Sequence, residues 1–491
     1  MADPAPPDQV VDNPTYMGDI RFFFEQMDID HMKSRNIDLS TYDGVKKHAG
    51  AIYVQTAPPH PNMPPEKDRQ WSAARSLTFK NWILAGYPVG TAVAQTGPAM
   101  AAAAAATRVR KNVTKLSQPE VDKLKAAFTG IMQKGTSDAQ SYYALASIHG
   151  LPQSYCLHHV DPFNPWHRVY LKLFEDALRS VPGCADVTLP YWDITTPIPA
   201  LLQTAPFDSY VVPVPLQNGY PNNYKTQRYA QSQIDTLLAR YDVIGHLDAA
   251  LTQSQWGAYG IGGFQDESIA AHDGGHAATG PTMADQNVSS YDPIFWFYHC
   301  NLDRHWWSWQ TNVGATTLAG FTSTLQGNTD WLSGPINVMA PFTATPDQTI
   351  AYGDVSYDQL MGGPVAVAFE NKVGSLEATR AFRIRRTSKA SVMVKDINRL
   401  NIPGSFSVVL QADGQPIATR AFFQPNTPRN CATCVKVGIV SVNFKVDLDK
   451  ILDKKLSVAI EVPGLADPVK TFPLSEAGNP TINVRLLLED A

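Results

Sequence analysis

Seven of the twelve histidines fall in two short stretches. The first holds His149, His158, His159 and His167, in the frame HGLPQSYCLHHVDPFNPWHR. The second holds His272 and His276 in HDGGHAATG, with His299 further on in DPIFWFYHCNLDRHW. A donor set made of imidazoles, without carboxylate or thiolate at the matching positions, suits copper, zinc or iron. In HDGGH the two histidines stand at i and i+4, one above the other on a helix face, and can share a metal. Each of the two intervening glycines costs about 1 kcal/mol relative to alanine in a helix. Something must therefore approach closely there: a metal, a substrate or another helix. A zinc-protease site needs Glu after the first histidine as general base; that position holds Asp273, so the pattern does not match.

His299 stands among Phe295, Trp296, Phe297, Leu302 and Trp306. An imidazole buried in such company needs partners for both nitrogens, and a metal on one with an acceptor on the other provides them. Asp303, one turn further along, would be drawn inside with it and would require a cation. Arg168, directly after His167, is the expected partner.

These side chains must be held by helices. PWHRVYLKLFEDALRSV opens with Pro165 in its first turn, where the missing N–H costs nothing. DPIFWFYHCNLDRHWWSWQ opens with Asp292 as an N-cap and Pro293 behind it. VDKLKAAFTGIMQ is amphipathic. Ahead of them, residues 14 to about 88 carry helical patterns around a Pro-rich loop, TAPPHPNMPPEKD. An Ala-rich stretch, 89–110, reads as a linker or an exposed helix. From about residue 355 the pattern changes to β-formers at regular spacing: AVAFENK, ATRAFRIRRT, ASVMVKDI, FSVVLQA, VGIVSVNFKVDL, KLSVAIEV and TINVRLLLE. Turn signals such as DGQP and PGLADP separate them, which predicts an all-β sandwich. The expected organisation is an N-terminal helical and Pro-rich extension (1–110), a mainly α core (111–355) and a C-terminal β-sandwich domain (356–491).

The chain has 491 residues, 44% of them hydrophobic, and a formal net charge of −5. No cluster of Lys and Arg marks a nucleic-acid partner. No run of eighteen apolar residues predicts a membrane span. The first residues, MADPAPPDQVVDNP, lack the basic and apolar regions of a secretory signal. The five cysteines (Cys156, Cys184, Cys300, Cys431, Cys434) are few and odd in number, so reduced thiols in a cytoplasmic setting are expected.

With these residues in view, the chain resembles the type 3 copper proteins: tyrosinases, catechol oxidases and hemocyanins. PWHRVYL and DPIFWFYHCNLDRHW follow the family's two copper-binding frames, and PYWDIT (190–195), Met283 in GPTM and the tyrosine motif YGDVSYDQL also fit, over about 140–360. The resemblance implies a mainly α dicopper core built on a four-helix bundle. Two copper ions would be held by His149, His158 and His167 and by His272, His276 and His299. His158, rather than His159, stands nine residues before His167, as the family's frame requires. Cys156 and His158 form C-x-H, the arrangement in which fungal members join cysteine sulfur to the ligand ring. Cys431-x-x-Cys434 resembles a motif some fungal members use to capture copper; a structural turn is the other reading.

The resemblance further implies an oxidase that uses O2 to o-hydroxylate monophenols and to oxidise o-diphenols to o-quinones. A catechol oxidase, an o-aminophenol oxidase or a hemocyanin-like oxygen carrier shares the same site. Its partners would be phenolic or catecholic small molecules and O2. Two departures stand out. Tyr298 replaces a second histidine that many relatives carry before the last ligand. Asp273 replaces an Asn that, with a Glu near the position of Glu267, is thought to orient the water that deprotonates a phenol. Asp273 and Glu267 are therefore expected near the phenol, with Asp273 acting as a base that stays ionised in mild acid. The N-terminal segment is expected to form either a lid or a homo-oligomer interface. The β domain resembles those that shield the site in zymogens.

Overall fold

The computed structural model describes residues 108–362, 389–462 and 470–487, except 218 and 335–336, and the N-terminal part 10–89 with interruptions at 12–13, 17–18, 25, 34–36, 57–62 and 64–69. Most of the Ala-rich stretch (90–107), most of the Pro-rich loop and the expected strands AVAFENK and ATRAFRIRRT lie outside the described residues, the first two in the N-terminal part and the last two within 363–388. The end of the Ala-rich stretch, expected as linker or helix, is instead a strand at Arg108–Arg110, because it pairs with a distant segment.

The chain forms two compact units, 1–105 with 329–349, and 106–328 with 350–491. In the first, α1 (Gln26–Lys33), α2 (Tyr42–Thr56) and α3 (Ala73–Leu84) enclose a small aromatic-rich core of Ile20, Phe24, Val45, Phe79 and Trp82.

The second unit holds the histidines. Helix α4 (Gln118–Gln133) starts at a capping box in which Ser117 and Glu120 satisfy each other's backbone N–H. It is followed by α5 (Tyr142–His149), α6 (Phe163–Arg179), α7 (Gln231–Arg240), α8 (Val243–Leu251), α9 (Phe264–Thr279), α10 (Ile294–Asn312) and the short α11 (Leu318–Thr322). Helix α10 begins one residue later than expected. Pro293 is its N-cap, and Asp292 instead accepts from the Ile294 N–H and binds the Arg228 guanidinium. Strand β1 (Arg108–Arg110) pairs in parallel with β2 (Val355–Tyr357), closing the helical part on itself.

The C-terminal part is a two-sheet antiparallel sandwich. Its strands are β3 (Lys389–Asn398), β4 (Phe406–Ala412), β5 (Gln415–Phe422), β6 (Ile439–Asp447), β7 (Leu456–Val462), β8 (Lys470–Phe472) and β9 (Thr481–Leu486), with a short helix α12 (Ala432–Lys436) between β5 and β6. One sheet has the order β6-β3-β9 and the other β5-β4-β7-β8. Alternate residues of β3 (Ala390, Val392, Val394), β4 (Val408, Leu410) and β6 (Val442, Phe444) face each other in a core of their own. No helix among the described residues is long and apolar enough to cross a membrane.

Candidate metal centre

The glycines of HDGGH explain how α9 can sit in the middle of the helical part. A Cβ on Gly275 would lie 2.0 Å from the Tyr298 hydroxyl, and one on Gly274 would lie 2.8 Å from a Val243 methyl. The close approach is thus by neighbouring helices, α10 and α8. Tyr298, standing where many relatives have histidine, donates its hydroxyl to the carbonyls of Ala271 and His272 at 3.0 and 3.2 Å, fastening α10 to the ligand-bearing turn of α9.

Helices α5, α6, α9 and α10 and the loop before α6 bring six histidines together, all of them buried. His167 donates Nδ1–H to the Phe163 carbonyl, His276 to the Met283 carbonyl and His272 to the Asp273 carboxylate, each at 2.8 Å. Those bonds fix the tautomer and leave the three Nε2 atoms free to bind a metal. Nε2 of His276 and His299 approach to 2.9 Å, and Nε2 of His149 and His158 to 3.3 Å. Nε2 of His167 and of His272 are buried without a hydrogen-bond partner. Ligand atoms of His272, His276 and His299 all lie within 4.8 Å of one another, as do those of His149, Cys156 and His158. Bare imidazole nitrogens converging in a dry site are unfavourable unless a cation lies between them. Burial, reinforced by neighbouring imidazoles, holds His149, His158, His276 and His299 well below the ordinary histidine range and His167 at about 3. All five are therefore in the neutral form that metal binding requires.

Behind the histidines lies the expected ion pair. Arg168 donates Nε–H to Asp303 Oδ1 at 2.7 Å, and its guanidinium lies 3.6 Å from the ring centre of Trp306 and 4.0 Å from that of Tyr352. The other Asp303 oxygen accepts from Arg110 at 3.1 Å and from the hydroxyls of Tyr352 and Tyr357. YGDVSYDQL thus closes the core through its two tyrosines. Arg110, which the sequence did not single out, is fully buried between Asp303 and Glu175.

Residues 139–312 match the family model described as the common central domain of tyrosinase. Among curated proteins, a hemocyanin A-type of the octopus Enteroctopus dofleini is 30% identical over 231 residues, covering 41% of this chain and 18% of its own length. A hemocyanin of Sepia officinalis, units G and H, is 31% identical over 223 residues, 42% of this chain and 38% of its own. The chain therefore spans well under half the length of either. Among solved structures, a tyrosinase from Burkholderia thailandensis superposes with a TM-score of 0.57 at 20% identity, covering 77% of this chain and all of that one. An octopus hemocyanin functional unit superposes at 0.56 and 19%, covering 77% and 99%.

Residues 139–312 carry the central domain of the tyrosinase family of type 3 copper proteins. Its two histidine sets fit a dicopper centre.

Within that centre the doublet His158-His159 separates cleanly. His158 joins the cluster, while His159, in the left-handed region at φ 58°, turns away. Its Nε2 lies 2.8 Å from Asp273 Oδ2, and its ring stacks on Phe422 at 4.0 Å.

The two carboxylates expected beside the phenol are both committed to partners. Asp273 accepts from His272 Nδ1 on one oxygen, and from His159 Nε2 and the Phe423 backbone N–H (3.1 Å) on the other. Burial raises its pKa, but His159 and His272 outweigh this and hold it well below the usual carboxylate range. It orients a ligand and is not free to take a proton. Glu267 is paired with His246 at 2.6 Å and Lys445 at 2.7 Å. Against the penalty of burial, these charges and Arg420 bring its pKa down to about 2. The physical reason is helical geometry. At 100° per residue, neighbours of His272 cannot share its direction, and a residue five positions earlier is turned by roughly 140°.

Two cysteine expectations are also settled in position. Cys431 and Cys434 are joined as a disulfide; in that state they offer no thiolate to copper, and the expectation of reduced thiols fails for this pair. Cys156 is a free, buried thiol that accepts from Gln286 at 3.0 Å, and burial pushes its pKa up to about 12.

The functional residue that sequence reasoning missed is Phe423. It follows β5, is 1% exposed, and lies among the histidines. Its ring is near-parallel to His276 at 4.2 Å and edge-on to His158 and His272 at 5.3 and 5.5 Å. The available signal was the doublet Phe422-Phe423 at a strand end. Successive residues face opposite ways, so with Phe422 in the sandwich core, Phe423 must point out of it.

Proposed function

We propose that the protein is a tyrosinase-type oxidase of phenols and o-diphenols, held latent by its own β domain. The observation that carries this is the Phe423 ring stacked on His276 inside the centre: the space beside the ligands accepts an aromatic ring of the size and orientation a phenol would present. The bound coppers would supply the redox chemistry with O2. Two o-diphenols and one O2 give two o-quinones and two waters; one monophenol and one O2 give one o-quinone and one water. The chain's own contribution is to orient three of the six imidazoles, through the Phe163 and Met283 carbonyls and Asp273, and to exclude water until the ring of Phe423 leaves. His149, His158 and His167 would hold one copper, and His272, His276 and His299 the other. The proximity of Cys156 to His158 supports a thioether between them.

Oxygen uptake by copper-loaded protein tests this, with L-tyrosine, L-DOPA and o-aminophenol in parallel, before and after limited proteolysis. Uptake that appears or rises on trimming is expected. The hemocyanin relatives favour a second reading, an oxygen carrier with a covered site. Reversible O2 binding without uptake of any phenol, even after trimming, would decide for it.

A further inference from the structure

Beside Phe423 a cleft opens along the seam between α7, α9 and the β sandwich, lined among others by Phe423, Asp273, Tyr241, Arg240 and Glu461. Arg240, the last residue of α7, is the cationic side chain of this lining. Its guanidinium is paired with the carboxylate of Glu461 on β7 and lies 5.9 Å from the ring of Tyr241. The pair is part-exposed, with side chains 31% and 21% accessible. Such pairs hold weakly and exchange partners at little cost. The β domain therefore places two groups in one cleft: an aromatic ring on the metal ligands and a carboxylate on an arginine.

We propose that Arg240 is the recognition site for the carboxylate of phenolic acids and phenolic amino acids, and that Glu461 takes that carboxylate's place while the β domain is docked. The inference rests on the oxidase reading and deepens it, naming the substrate class as phenols with an anionic side chain. An arginine suits this task because its planar fork binds a carboxylate through two N–H donors. The domain then occupies the site as a substrate does, ring and carboxylate together.

The test uses copper-loaded full-length protein in the Phe423→Ala background, under nitrogen so that no turnover occurs. Calorimetric affinities are measured for 3-(4-hydroxyphenyl)propanoate and for neutral 4-ethylphenol, and their ratio is followed. Adding Arg240→Gln should lower the ratio about tenfold or more, the loss expected for a charge-assisted hydrogen bond. Adding Glu461→Gln should raise it, because the competitor is gone. A merely structural ion pair would move both variants the same way; that result, or a ratio unmoved in both, overturns the proposal. A preference for tyramine that disappears in Glu461→Gln would make Glu461 the receptor of an ammonium group and also overturn it. Oxygen uptake in air is read separately. Opposite shifts without uptake would leave the subsite standing and sink the oxidase reading. Uptake with an unmoved ratio would do the reverse.

Discussion

Replacing Phe423 by alanine should convert the intact chain from latent to active, and the size of the effect follows from its surroundings. The ring is 1% exposed and packed against three of the metal-binding histidines. Truncating a fully buried phenylalanine typically costs about 3–5 kcal/mol, of which aromatic stacking supplies roughly 0.5–1.5 kcal/mol. At about 1.4 kcal/mol per factor of ten, a loss of about 3 kcal/mol lowers the ratio of closed to open site about a hundredfold. Because the ring and the substrate compete for one place, apparent KM carries the change: only the open fraction binds, and apparent affinity scales with that fraction. Apparent KM for 4-methylcatechol should therefore fall about a hundredfold while kcat changes little. Phe423→Leu, which keeps part of the bulk, should fall between. The assay is oxygen consumption across a substrate series, with copper content measured on each sample. A copper-replete Phe423→Ala protein with wild-type KM would refute the reasoning, since the ring would then not be the obstruction.

Gly275→Ala should lower Tm by several degrees, because the added methyl meets the Tyr298 hydroxyl at 2.0 Å and overpacking costs about 1–3 kcal/mol. Gly275→Ala combined with Tyr298→Phe should lose less than the sum of the two single changes; strict additivity would show that the contact is not the cause. Copper-free protein should lose stability as pH falls from about 6.5 toward 4. Burial holds His159 and His305 at about 4, so the unfolded chain binds more protons in that window; above it these groups are neutral in both states. Urea midpoints measured from pH 8 to 4 check this, and a flat series would contradict it. Copper-loaded protein exposed to O2 should weigh four hydrogens less than its sequence, two for the Cys431–Cys434 disulfide and two for a Cys156–His158 thioether. Peptide mapping assigns them, and an unmodified Cys156 peptide would remove the thioether.

The parts of the site that were legible in the sequence are those fixed by local spacing. His272 and His276 share a helix face because they are four apart. Pro165 and Pro293 mark helix starts. Asp303 called for a cation because it stands one turn after His299 in an aromatic-rich helix, and Arg168 supplied it. What was not legible depends on distant contacts. Nothing near Gly275 announces Tyr298, and nothing near His276 announces Phe423, which lies 147 positions further on. Glu267 and Asp273 are held by other partners for a reason that helical geometry contains but that the family's pattern obscured. Glu267 points toward His246 on α8 and Lys445 on β6, and Asp273 is held between the ligand His272, His159 and the backbone after β5. The cysteine pair escaped because a C-x-x-C spacing permits thiolate ligands and a disulfide equally.

The seam that seats Phe423 has the character of a contact made to open. The sandwich has its own apolar core between its two sheets, so undocking need not unfold it. Against the helices it presents, beside the rings of Phe422 and Phe423, a set of charges and polar groups: Arg420 to Asp266 at 3.2 Å, Lys445 to Glu267 at 2.7 Å, Arg240 to Glu461, and the Tyr241 hydroxyl beside Ser407 at 3.2 Å. Contacts of this kind resemble transient interfaces between domains, where relative motion is expected. The exception is the end of β5, where one carboxylate, Asp273, accepts from the backbone of Phe423 and from the ligand His272 together. The strand that closes the centre is thus tied to the residue that orients a metal ligand. Departure of the plug removes an N–H donor from Asp273 and leaves its negative charge to His159 and His272. The proposed opening would leave the bond that orients His272 in place, since His272 Nδ1 is held by the other oxygen of Asp273.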